Sequence, residues 1–212
     1  MLIIKNYNFI LNSIKSLSKK TTLVVVTKNQ QLDNINLLIN ANHFHFGENR
    51  VQEANLKWKD LAFNNSKIKL HLIGKLQSNK AKDAFNIFHY IHTLDNEKLA
   101  KIFSQLESNS QKKINYFIQI NVGNEPQKNG ISIDKASQFK EYCVNDLKLN
   151  IIGLMCIPPA EGDPSRYFKK LAEISKDNNL NELSMGMSND YYEAIKYGST
   201  FVRIGSKIFS EN

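Results

Sequence analysis

Cysteine, arginine and glycine-rich nucleotide loops are all scarce in this sequence, and each scarcity excludes something. The 212 residues contain two cysteines, Cys143 and Cys156, too few for a disulfide framework and without metal-ligand spacing. Both are expected to be free buried thiols. No run approaches the roughly 20 uninterrupted apolar residues that a membrane span needs. The opening Met1-Leu-Ile-Ile-Lys-Asn-Tyr-Asn has neither a long apolar segment nor a small-residue cleavage site, so a cytoplasmic protein with no membrane partner is expected. The net charge of +8 raises the question of nucleic acid, but 25 of the 28 basic residues are Lys and only Arg50, Arg166 and Arg203 are Arg. Base and phosphate readers favour the planar guanidinium fork. The 27 asparagines and abundant isoleucine point to compositional drift instead, and a nucleic-acid role is not expected.

What is present is a chain able to bury a full core, 42% hydrophobic and 23% charged, with no Pro/Gly/Ser linker to divide it. Residues 1–212 are therefore read as a single domain. Eight apolar, β-branched runs recur: Leu23 to Val26, His43 to Phe46, Ile68 to Ile73, Phe88 to Leu94, Ile114 to Val122, Ile151 to Cys156, Glu182 to Met185 and Phe201 to Ile204. Helical stripes lie between them, such as Leu99, Ile102, Phe103 and Leu106, or Leu32, Ile35, Leu38 and Ile39 near a possible capping Asp33. A further helix is expected from about Asn6 to Ser18. Strands that alternate with helices need right-handed crossovers, and eight of them predict an α/β fold of the closed (β/α)8 barrel type. An open doubly wound sheet is the runner-up. Neither G-x-G-x-x-G after the first strand nor G-x-x-x-x-G-K-[ST] anywhere supports it.

Chemistry in such a barrel belongs at the carboxyl ends of the strands. The first strand stops at Thr27-Lys28. A lysine pointing into the barrel mouth would lose solvation, which frees its amine to attack an aldehyde; a solvated loop lysine is the ordinary alternative among 25 lysines. Strands seven and eight end in Leu183-Ser-Met-Gly-Met-Ser188 and Val202-Arg-Ile-Gly-Ser206. Small and hydroxyl residues there suit a phosphate cradle with Ser206 opening a helix, although tight turns and caps explain either loop taken singly. After strand two, Asn49 or Glu48 could cap a helix or face the mouth. The five histidines show no metal-ligand spacing, His43 and His45 being placed on one strand face, and they are read as polar core or surface residues. Trp58 and the Tyr191-Tyr192 pair are read as packing residues.

Six segments, in order across nearly the whole chain, give a specific resemblance. They are Val25-Val-Thr-Lys28, Phe46-Gly-Glu-Asn-Arg-Val-Gln-Glu53, His71-Leu-Ile-Gly-Lys-Leu-Gln-Ser-Asn-Lys80, Gly153-Leu-Met-Cys-Ile-Pro158, Leu183-Ser-Met-Gly-Met-Ser188 and Gly198-Ser-Thr-Phe-Val-Arg-Ile-Gly-Ser206. Lys128-Asn-Gly130 looks like a seventh. The sequence resembles the YggS/PROSC family of pyridoxal phosphate homeostasis proteins, which implies a barrel like the N-terminal barrel of alanine racemases, with pyridoxal 5′-phosphate as cofactor.

By the same resemblance Lys28 is the residue that forms the internal aldimine, a Schiff base. Ser184, Gly205 and Ser206 hold the phosphate, Asn49 belongs to the cofactor pocket, and Arg203 faces the pyridine nitrogen. The chain ends soon after Phe209, earlier than the family pattern, and has Ser206 where many members have Thr. The function implied is intracellular cofactor homeostasis by a monomer, with no established turnover and with apo-enzyme clients as possible partners. The alternative is a racemase-like enzyme. Against it, the second base that racemisation needs comes in alanine racemases from a further domain and a partner subunit, and an arginine at the pyridine nitrogen weakens the electron sink.

Overall fold

The computed structural model describes residues 2–210. Eight parallel strands close in sequence order into a barrel, β1 through β8, with β8 pairing back to β1 through Thr22 to Val25 against Phe201 to Ile204. The strands are β1 Thr22–Val26, β2 His45–Glu48, β3 Lys69–Leu72, β4 Tyr90–Leu94, β5 Asn115–Gln119, β6 Asn150–Met155, β7 Glu182–Ser184 and β8 Phe201–Ile204. The helices are α1 Leu2–Leu17, α2 Leu32–Asn40, α3 Val51–Asn64, α4 Ala81–Ile87, α5 Glu97–Ser108, α6 Ala136–Glu141, α7 Ser165–Asp177, α8 Tyr191–Lys196 and α9 Ser206–Phe209. Among the described residues no helix is long and apolar enough to cross a membrane.

Strand alternation divides the buried side chains into two cores. Outward-facing Leu23, Val25, Phe46, Leu70, Leu72, Ile118 and Val202 meet the helices in the larger one. The stripe read on α5 does this: Leu99 and Phe103 are buried, and Ile102 and Leu106 pack partly against the same core. The barrel interior holds the smaller core of Val24, Phe117, Met155 and Phe201. Tyr90 and Ile152 pack partly against it, and four polar side chains, His71, His92, Ser184 and Arg203, are buried beside it. On the outer side α1 packs across α8 and α9, and the Asn6 amide donates to the Ile208 and Ser210 carbonyls at 3.3 Å each.

Several boundaries differ from the expected ones. Helix α1 starts at Leu2 and ends at Leu17, because Ile3 and Ile4 also pack on the core. Strand β2 begins at His45, so His43 does not share its face. Asn42 adopts φ +61° and closes α2, leaving His43 in the turn with Nε2 2.7 Å from the His45 carbonyl and Nδ1 3.3 Å from Tyr7 Oη. Strand β5 stops at Gln119, after which Ile120 makes only a single bridge to Ile131. Asp33 is not a cap: Gln31 holds that position without a side-chain bond, and Asp33 sits in the first turn, where its charge faces the positive end of the helix dipole. Cys143 and Cys156 are free and buried, as expected, and burial pushes both thiols up to about 12.

Candidate functional site

A cavity of about 870 Å3 opens at the carboxyl ends of the strands. Its walls come from residues that end or directly follow different strands: Val26 of β1, Asn49 after β2, Ile73 after β3, and Arg203, Gly205 and Ser206 at the end of β8. The loop after β7 adds Ser188. Convergence of this kind follows from the parallel barrel, since every strand delivers its carboxyl end to the same rim.

Two glycines let the backbones close up. A Cβ on Gly205 would stand 2.9 Å from the Val26 carbonyl oxygen, and one on Gly74 would collide with the Asn49 carbonyl. Gly205 precedes the first turn of α9, whose opening N–H groups have no partner within the helix. There Ser206 Oγ lies 2.9 Å from Ser188 Oγ, giving two neutral hydroxyls on one side of the cavity. The Ser188 loop is held by Asp190, whose carboxylate accepts the Met187 N–H at 2.6 Å.

Arg203 reaches the cavity from inside the barrel and is only 4% exposed. Its Nη1 donates to Ser184 Oγ at 2.6 Å and its Nη2 to the Cys156 carbonyl at 3.0 Å. Burial lowers its pKa from the ordinary guanidinium value. No carboxylate forms an ion pair with it among the described residues. Ser184, expected beside the phosphate, is fully buried and absent from the cavity wall. As the last residue of β7 it points into the barrel interior, and its oxygen is occupied by Arg203 and by His92 Nδ1 at 2.7 Å. The serine of that segment that does reach the cavity is Ser188.

Lys28 stands two residues after Val26 and is exposed, so the desolvation expected of it is absent. Its loop is firmly held nevertheless. Thr27 Oγ1 donates to Glu48 Oε1 at 2.6 Å, and the Thr27 carbonyl accepts from Lys57 Nζ at 2.6 Å. The next residue, Asn29, takes φ +59°, which Asn tolerates better than most residues, and its N–H donates to Glu53 at 2.7 Å. Glu48 neither caps α3 nor faces the mouth. It is buried between barrel and helix, where Oε1 also accepts from Lys57 Nζ at 2.9 Å and from Trp58 Nε1 at 2.8 Å. Trp58 is thus a packing residue with a polar anchor. Tyr191 is buried as expected, but Tyr192 is 42% exposed.

In the sequence Ser188 stood out only as one hydroxyl of the segment ending β7, and Lys128 only as part of the Lys128-Asn-Gly130 segment. Lys128 borders the cavity with its Nζ 2.6 Å from Glu125 and 3.3 Å from the Pro158 carbonyl. Both residues lie within segments that carried the resemblance; which side chain of each segment reaches the cavity was the missing information.

Known proteins match this chain over most of its length. The family model for the alanine racemase N-terminal domain matches residues 3–212. The pyridoxal phosphate homeostasis protein of Pasteurella multocida is 34% identical over 197 residues, covering 88% of this chain and 84% of that protein. Among solved structures, PipY of Synechococcus elongatus with PLP bound superposes with a TM-score of 0.84 at 32% identity, covering 98% of this chain and 100% of the other. Alanine racemase from Corynebacterium glutamicum, at 12% identity and a TM-score of 0.73, covers 98% of this chain and 60% of its own length and shares the fold.

Proposed function

Because this chain belongs to the pyridoxal phosphate homeostasis protein family, whose barrel is that of the alanine racemase N-terminal domain, we propose that its cavity holds pyridoxal 5′-phosphate for cofactor homeostasis. The observation that carries this reading is the convergence of Ser188, Gly205 and Ser206 with Arg203 and Asn49 at one end of the barrel, beside the anchored loop of Lys28. The volume suits a small-molecule site. Neutral hydroxyls and free helix-start N–H groups are the donors a phosphate needs.

When bound, the cofactor supplies an aldehyde that combines with amines and a ring that withdraws electrons. Lys28 provides the amine that holds the aldehyde, its exposure leaving the side chain free to turn toward the cavity. Ser188 and Ser206, with the backbone at Gly205, hold the phosphate, and Asn49 borders the ring. Arg203 faces the pyridine nitrogen and opposes a proton there, because its own charge is already positive. A weakened electron sink supports storage over turnover. On this reading residues 1–212 act as one cofactor-binding unit, a cytoplasmic monomer that exchanges cofactor with apo-enzymes and has no nucleic-acid partner.

The test is the visible spectrum of the purified protein with and without added cofactor, followed by incubation with single L-amino acids. A new visible band with no accumulation of D-isomer is expected. A protein that is colourless once unbound cofactor has been removed by desalting refutes binding. Multiple turnovers to D-isomer within minutes refute the homeostasis reading in favour of a racemase-like enzyme.

A further inference from the structure

Three histidines, a serine and the cavity arginine cross the barrel interior as one hydrogen-bonded line. His45 Nδ1 of β2 lies 3.0 Å from His71 Nε2 of β3, and His71 Nδ1 lies 2.9 Å from His92 Nε2 of β4. His92 Nδ1 is 2.7 Å from Ser184 Oγ of β7, which also accepts from Arg203 Nη1 of β8 at 2.6 Å. His71, His92 and Ser184 are completely buried, whereas His45, at the amino end of its strand, is half-buried.

A line of this kind has a direction. A neutral imidazole carries one N–H and offers one acceptor nitrogen, so the rings can pass their protons either all toward Ser184 or all away from it. Burial favours the neutral form of His71 and His92. The arginine removes the ambiguity because it has five N–H donors and no acceptor, and therefore can only donate to Ser184 Oγ. Among the described residues the Ser184 hydroxyl then has one acceptor in reach, His92 Nδ1. If His92 donated instead, the serine proton would be buried without a partner, an arrangement folds avoid.

We propose that Arg203 fixes the direction of this line, from Ser184 through His92 and His71 to His45, making all three rings neutral Nε2–H tautomers, and that Ser184 and His92 are positioning residues holding the Arg203 guanidinium toward the cavity. The positioning role rests on the function proposed above; the direction of the line does not. Ser184 gives Arg203 a neutral oxygen partner inside the barrel, and the carboxylate that acts on its charge, Asp190, lies on the cavity wall without pairing directly to it.

Nitrogen resonances of the full chain, labelled with 15N-histidine and measured without cofactor, test the direction. Acceptor-type Nδ1 and protonated Nε2 are expected for His45, His71 and His92. A protonated Nδ1 on His71 or His92 in the wild-type protein would overturn it. Arg203→Gln introduces a side chain that accepts as well as donates, and should split or broaden the His92 resonances; unchanged resonances in a folded variant also count against directional control. With pyridoxal phosphate added, Ser184→Ala should shift the visible band and weaken binding by up to about tenfold, because the lost bond lies within the protein and what binding loses is the alignment of Arg203. Ser184→Thr, which keeps the hydroxyl, should restore both. A Ser184→Ala protein with wild-type affinity and spectrum overturns the positioning role. Failure of the wild-type protein to bind cofactor overturns the function proposed above and the positioning role with it, while the tautomers still decide the direction.

Discussion

The hydroxyl of Ser206, at the first position of α9, stands 2.9 Å from the hydroxyl of Ser188 in the loop after β7. Two hydroxyls from separate strand ends thus meet on one side of the cavity. Replacing either with Ala should weaken pyridoxal phosphate binding about ten- to a hundredfold, since hydrogen bonds to charged groups are worth about 1.5–3 kcal/mol. Titration with pyridoxal, which lacks the phosphate, should give much weaker binding to the wild-type protein and little further loss in the variants. Equal affinity for the two ligands would place the phosphate elsewhere.

Lys28 is exposed and has no structural partner among the described hydrogen bonds and ion pairs. Lys28→Ala should therefore leave thermal stability nearly unchanged, within the roughly 0.5 kcal/mol of ordinary surface substitutions, while abolishing covalent trapping. Borohydride treatment of the loaded wild-type protein, followed by peptide mass mapping, should label the Lys28 peptide. Labelling at Lys75, Lys80 or Lys128 would refute the assignment.

Glu48 carries three donors on one buried oxygen: the Thr27 hydroxyl, Lys57 Nζ and Trp58 Nε1. Glu48→Ala leaves a largely buried ammonium and an indole N–H without this acceptor, and should cost about 3–5 kcal/mol in urea denaturation. It should also loosen the loop bearing Lys28, read as faster proteolysis or amide exchange around residues 27–29. Loss of stability with no change in that loop would show that Glu48 serves packing alone.

All five histidines have pKa values below the ordinary 6.5, chiefly because burial disfavours the imidazolium, and His43 and His89 fall to about 4. The unfolded chain takes up these protons as the pH drops past about 6.5, but the folded chain does not. Unfolding is therefore accompanied by proton uptake between pH 6.5 and about 4, and stability falls as the pH falls through that window. Each histidine that differs by a whole proton contributes about 1.4 kcal/mol per pH unit to the slope. Denaturation free energies measured from pH 7.5 to 5 should show this decline, less steep in His43→Gln. A flat profile would show that the rings are protonated in the fold.

The eight runs, their alternation with helical stripes and the dry first strand leading to Lys28 were legible in the sequence because they depend on the burial of each segment against its neighbours. That burial imposes a period of 2 or 3.6 on the chain. The glycine- and serine-bearing ends of β7 and β8 likewise marked where the cavity opens. Tertiary structure decided which residues of those segments do what. Ser184 and Ser188 both suited a phosphate as sequence, but β7 ends at Ser184 and turns it into the barrel under Arg203, leaving Ser188 on the loop to face the cavity. Closure likewise joined His45, His71 and His92, on three separate strands and without motif spacing, into one line. It also placed Glu48 beneath Thr27 and Trp58. Such contacts depend on strand register and barrel closure, which set distances across the barrel between residues far apart in the chain, and periodicity along a single segment carries no record of them.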